Sequence, residues 1–111
     1  MPATAHYVKN VLIPGVTGVE ALDSAADILR RQWRLRRLQR DPGAVAARTK
    51  ISLLSWGDDI RVEVTSEASQ SAAVVISSQS VLKTTIIDWG VNRRNVERLH
   101  AELVRRGTST S

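Results

Sequence analysis

The stretch Asp88-Trp89-Gly90-Val91-Asn92-Arg93-Arg94-Asn95-Val96-Glu97-Arg98-Leu99 decides how the rest of the chain is read. Gly90 can adopt the positive φ that is costly for other residues, so Asp-Trp-Gly reads as a tight reversal. Asn92 stands where a helix N-cap is wanted, with a side-chain oxygen able to accept from the first-turn N–H groups. Val96, Leu99 and Leu103 then recur at helical spacing, and Val104 widens the stripe. Arg105 and Arg106 suit the negative end of the helix dipole, and Gly107 is placed as a residue just past the end. The spacing therefore predicts a helix over 93–106. Asp88 has two readings: an acid or ligand anchor presented at a helix N-terminus, or an Asx turn that fixes Trp89 against the core. The second is favoured, because no base or nucleophile lies near it in sequence.

Upstream, His6–Ile13 reads as a first strand ended by Pro14. Thr17 and Glu20 have the spacing of a capping box, in which each side chain meets the other's backbone N–H. Val19, Leu22, Ala26 and Leu29 follow on one helical face, which predicts a helix over about 18–31. Gln32–Arg40 could prolong that helix or form a strand. The strand is favoured, because Asp41-Pro42-Gly43 would then turn the chain back. The adjacent Arg36 and Arg37 break its alternation, which weakens the strand or marks a bulge. Ile51 and Leu53 alternate with Lys50 and Ser52, and Ile60–Thr65 alternates cleanly across a turn at Gly57-Asp58-Asp59, a hairpin pattern. Ser66–Ser71 reads as a loop and Ala73–Ser80 as a strand. Val81–Ile87 is either its continuation past a bulge or an ordered loop.

These elements give an α+β chain in two layers, β-α-β-β-β-β-α, with two helices on one face of an antiparallel sheet. Residues 1–106 are expected to form one domain and 107–111 a disordered tail. The core is expected to contain Leu22, Leu29, Ile51, Leu53, Val62, Val64, Val74, Ile76, Val96, Leu99 and Leu103.

The run Ser77-Ser78-Gln79-Ser80 followed by Asp88, Gly90 and Asn92, with the earlier pair Asp58-Asp59, resembles the "fourteen ninety-nine" domain-of-unknown-function family of bacteria and plastids. The resemblance covers most of the chain from the first helix onward. It implies a Ser-rich strand, an Asp-x-Gly-x-Asn turn and a closing helix, and it implies no settled activity. Where that family often carries Arg between the serines, this chain has Ser78 and Gln79, and Val81–Ile87 is longer than the usual link.

Composition narrows the chemistry. Cysteine is absent, which removes disulfides, thiol catalysis and thiolate metal sites. His6 and His100 stand near opposite ends and form no ligand pair, so no metal is expected. Gly15-Val16-Thr17-Gly18 opens a helix but lacks the Lys of a phosphate loop, and no cofactor pattern is present. No nucleophile elbow surrounds Ser77, Ser78 or Ser80, which are expected on the solvent face. Asp58 and Asp59 are expected to solvate and cap their turn. The N-terminal residues lack the pattern of a secretory signal, and no apolar run is long enough to span a membrane, so a cytoplasmic setting is expected.

The net charge of +5 and the arginines at 30–40 and at Arg93, Arg94 and Arg98 raise a nucleic-acid or other polyanion reading. The favoured expectation is a non-catalytic binding or assembly module. It would present an edge strand to a second copy or to another protein, or hold a small apolar ligand near Trp56 and Trp89. The candidate binding residues are Arg34, Arg36, Trp56, Asp88, Trp89, Asn92 and Arg93.

Overall fold

A computed structural model describes residues 6–50, 57–68, 71–81 and 90–109. The elements run β1 (His6–Pro14), α1 (Gly18–Gln32), β2 (Leu35–Asp41), β3 (Ala44–Thr49), β4 (Asp58–Ala68), β5 (Ser71–Ser80) and α2 (Val91–Ser109). The five strands form one antiparallel sheet in the order β1-β5-β4-β3-β2, and both helices pack against it. The expected β-α-β-β-β-β-α order and two-layer α+β fold are what the chain adopts.

Helix α1 begins where the sequence places it. The Thr17 hydroxyl accepts from the Glu20 N–H at 3.2 Å, while the Glu20 carboxylate accepts from the Thr17 N–H at 2.8 Å. Its buried stripe is Ala21, Leu22, Ala25, Ala26, Ile28 and Leu29. Val19, expected on that stripe, is 57% exposed because the buried face is centred on Gly18, Ala21, Leu22 and Ala25, which turns Val19 to its margin. The helix stops at Trp33, whose extended backbone starts the approach to β2.

The residues after α1 are strand, as favoured above, and turn back through Pro42-Gly43 into β3. The register shifts between Leu35 and Arg37, so the doubled arginine is a bulge. The strand that pairs with β4 is Ala44–Thr49; the expected strand with Ile51 and Leu53 lies outside the described residues. Strands β4 and β5 are longer than the alternation suggested, so Ser66 and Ser71 belong to the ladder and not to a loop. Val81–Ile87 lies outside the described residues beyond Val81.

The core sits between sheet and helices. Ile13, Leu22, Ile28, Leu29, Val45, Ile60, Val62, Val74, Ile76, Val96, Leu99 and Leu103 are all less than 2% exposed. Each such side chain contributes roughly 1.5–3 kcal/mol by leaving water. Val64, expected in this set, is half-buried at its edge.

Helix α2 is longer at both ends than predicted. Gly90 has φ +77°, as the turn requires. The Gly90 carbonyl accepts the Arg94 N–H at 2.9 Å, so Asn92 lies inside the first turn instead of capping it. At the other end Gly107 is helical, not a residue past the end, and residues 107–109 belong to α2 rather than to a tail. A Cβ on Gly107 would lie 2.6 Å from the Pro14 carbonyl oxygen. The glycine is there because the helix meets the end of β1 backbone to backbone.

Candidate functional site

Strand β5 turns Ala72, Val74, Ile76, Ser78 and Ser80 toward the helices. The row starts apolar and ends in two hydroxyls, with Ser78 at 0% exposure. The solvent-face expectation fails for Ser78 and Ser80, and only Ser77 lies on the opposite face. Every buried polar side chain among the described residues collects around this end of the sheet: Thr49, Asp58, Ser78, Ser80 and Asn92.

Helix α2 supplies the partners. Asn92 and Asn95 fall one turn before Val96 and Leu99, so helical periodicity brings both toward the sheet. Ser78 donates to the Asn92 side-chain oxygen at 2.6 Å, and the Asn92 amide donates to the Ser80 hydroxyl at 3.3 Å. The Asn95 amide donates to the Asp58 carboxylate and to the Ser78 hydroxyl, each at 3.1 Å. Its oxygen accepts from the Trp33 indole N–H at 3.1 Å. Arg98 covers the Trp33 ring, 4.5 Å from its centroid, and donates to the Gln32 side chain and backbone oxygens at the end of α1. At the sheet, the Asp58 N–H donates to the Thr49 hydroxyl at 2.8 Å.

Asp58 therefore does not solvate a turn. It opens β4 and is 4% exposed, while Asp59 takes Arg48 in a two-point pair at 2.8 and 3.2 Å. The cluster ties four elements to one point: the end of α1 through its cap residue Trp33, α2 through Asn92 and Asn95, β4 through Asp58 and β5 through Ser78. The Ser78 hydroxyl donates to an amide oxygen, which is a hydrogen-bond acceptor and not a base.

Of the candidate binding residues that are described, Arg34, Arg36, Asn92 and Arg93, only Asn92 is part of this cluster. Arg34, Arg36 and Arg93 are exposed at the same end of the sheet, outside it. Leu35 pairs with Thr49 and Asp58 with Ser80, so the entry to β2 and the start of α2 are brought to one end without converging on one point. Trp56, Asp88 and Trp89 lie outside the described residues. Asp58, Ser78, Ser80 and Asn95 were missed as a cluster. Their signal is present in the spacing of the two asparagines, each four residues before an apolar residue of the α2 stripe.

Two ionic contacts brace α2 elsewhere. Lys9 pairs with Glu97 at 2.7 Å, and Tyr7 donates to the same carboxylate at 3.2 Å; these partners, Lys9 foremost, lower the Glu97 pKa. Asp27 accepts from Arg106 at 2.7 Å and from Arg31 at 2.9 Å, and its pKa is lowered, Arg106 contributing most. His100 is half-buried at the core edge, and burial pushes its pKa down. Among the described residues no three His, Cys, Asp or Glu side chains are grouped to hold a metal, and no helix is long and apolar enough to cross a membrane.

Of the residues that carry the family resemblance, Asp58, Ser78, Ser80 and Asn92 are buried at this end of the sheet, Ser77 and Asp59 lie on its other face, and Asp88 lies outside the described residues. None of the curated proteins is similar enough to match the chain. A family model described as "Protein of unknown function (DUF1499)" matches residues 2–103, and the chain belongs to that family.

Proposed function

We propose that the domain is a non-catalytic association module that pairs with a second copy of itself along β1. One observation carries this: among the described residues β1 is an edge strand, and it exposes large apolar side chains, Val8 at 51% and Leu12 at 61%. Only Val19 joins them as an exposed large hydrophobic among the described residues.

The two edges of the sheet differ in kind. Edge strands are commonly guarded against pairing by charges, bulges and short length. Strand β2 has such guards: a bulge, Arg36, Arg37 and Asp41 over seven residues. Strand β1 has nine residues, and its one charged lysine, Lys9, is drawn toward α2 by Glu97. Its pattern is also self-complementary. A two-fold axis through Asn10 would set Val8 of each copy opposite Leu12 of the other, and Lys9 opposite Val11, so no like charges face each other. A continuous sheet across both copies would then set the Val8 and Leu12 side chains of the two copies against each other and bury their flanks. A cytoplasmic setting belongs to the same proposal.

Native mass spectrometry at micromolar concentration tests it. A two-copy species that Leu12→Lys reduces to single copies is expected. A wild-type chain that stays single across the concentration range overturns it.

A further inference from the structure

The face of the sheet away from the helices carries a second feature, at the opposite edge from β1. Arg37 and Gln39 of β2, Ala46 and Arg48 of β3, and Asp59 and Arg61 of β4 line a hollow of about 170 Å³. The register explains it. Arg37 stands opposite Arg48, Gln39 opposite Ala46, Arg48 opposite Asp59 and Ala46 opposite Arg61. Ala46 is the smallest of these six side chains, and Arg37, Arg48 and Arg61 line the space with it.

We infer that this hollow binds a phosphoryl group. Like charges placed directly opposite on neighbouring strands are unfavourable, and Arg37 faces Arg48 in this way. Two of the three cations are already oriented by a carboxylate. Arg48 gives Nε and Nη2 to Asp59, leaving Nη1, and Arg61 gives one Nη2 contact at 2.9 Å to Glu63, leaving Nε and Nη1. Arg37 is exposed and has no ion pair among the described residues. The lining therefore holds three guanidinium groups against one carboxylate, with donors left over on each arginine. An oxyanion bridging them would satisfy those donors and remove the repulsion. Planar guanidinium forks match phosphoryl oxygens in geometry and charge. By the ~30 Å³ that a water takes in the liquid, the hollow has room for a phosphoryl group and the first atoms attached to it.

The group could arrive as a small phosphorylated molecule or as one unit of a nucleic-acid backbone. Arg34, Arg36 and Lys50, exposed near the start of β2 and the end of β3, would extend the contact only for a polymer.

Amide chemical-shift titrations at low ionic strength, with inorganic phosphate and separately with a short single-stranded oligonucleotide, test the inference. Shifts are expected to concentrate on 37, 46, 48 and 61. Arg37→Gln is expected to weaken binding roughly tenfold, as losing a charged hydrogen-bond donor should. Arg94→Gln, an exposed arginine on α2, is the control and should have little effect. Response to phosphate alone identifies a small ligand. Response to the oligonucleotide alone, still dependent on Arg37, identifies a polymer. No response to either, or equal loss in the two variants, overturns the site. Arg37 is exposed, and unchanged thermal melting would show that its replacement leaves the fold intact.

Discussion

Asn95 makes three contacts with one amide: it accepts from Trp33 and donates to Asp58 and Ser78. Replacing it by Ala would remove the partner of an indole N–H and one donor each from the Asp58 carboxylate and the Ser78 hydroxyl. An unsatisfied buried polar group costs about 1–3 kcal/mol. Asn95→Ala should therefore lower stability by about 2–4 kcal/mol in urea unfolding. Ser80→Ala removes only the long 3.3 Å contact with Asn92 and should cost under about 1 kcal/mol. Equal losses in the two variants would show that Asn95 is not the centre of the cluster. At this scale the sequence was misleading for a physical reason. Alternation along β5 defines two rows of side chains, and serine is placed outward by default. What turns Ser78 and Ser80 inward is a partner on a helix twelve or more residues away, as Ser80 to Asn92 shows. Local pattern carries no such information. The spacing of Asn92 and Asn95 with Val96 and Leu99 did carry it, since polar residues on an apolar stripe ask for buried partners.

The elements were legible where local chemistry fixes them. The capping box set the start of α1, and Arg36-Arg37 marked the bulge in β2. Ala44–Thr49 did not stand out as a strand because three of its six residues are alanine, which strands disfavour, while the following Ile-Ser-Leu-Leu is richer in large apolar residues. The end of α2 was missed because glycine has two uses, a left-handed stop and a close approach, and only the contact with Pro14 tells them apart. Gly107→Ala checks this by its sign. In an exposed helix the change would be stabilising by about 1 kcal/mol. Here the added Cβ would sit 2.6 Å from the Pro14 oxygen, and a net loss of about 1–3 kcal/mol is expected in thermal or urea unfolding. Asp27 offers a second check, on how α1 and α2 are joined. Its pKa is lowered from 3.8 by Arg106 and Arg31, so the stability it contributes is present above that value. It is lost as pH falls through the lowered folded-state value. Asp27→Asn should thus be less stable than wild type at neutral pH, and the gap should close in the acid range. A gap independent of pH would assign the effect to packing.

At the scale of the molecule, the two-layer plan followed from the order of elements, because helices with one apolar stripe must cover the apolar face of a sheet. The roles of the two sheet edges did not follow, since which strand lies outermost depends on pairing across the chain. That order leaves β2 guarded by charge and β1 exposing Val8 and Leu12. Pairing through β1 and a phosphoryl group on the β2–β4 side would occupy opposite edges, so each can be lost without the other. The most direct measurement is residue-level amide hydrogen exchange over Val8–Leu12 at low and high protein concentration. An edge strand bonds to its neighbour through every second residue, leaving the amides between them to exchange. Pairing of two copies along β1 predicts that these intervening amides become protected as concentration rises, and that Leu12→Lys abolishes the change. An alternating pattern that is the same at every concentration would contradict it.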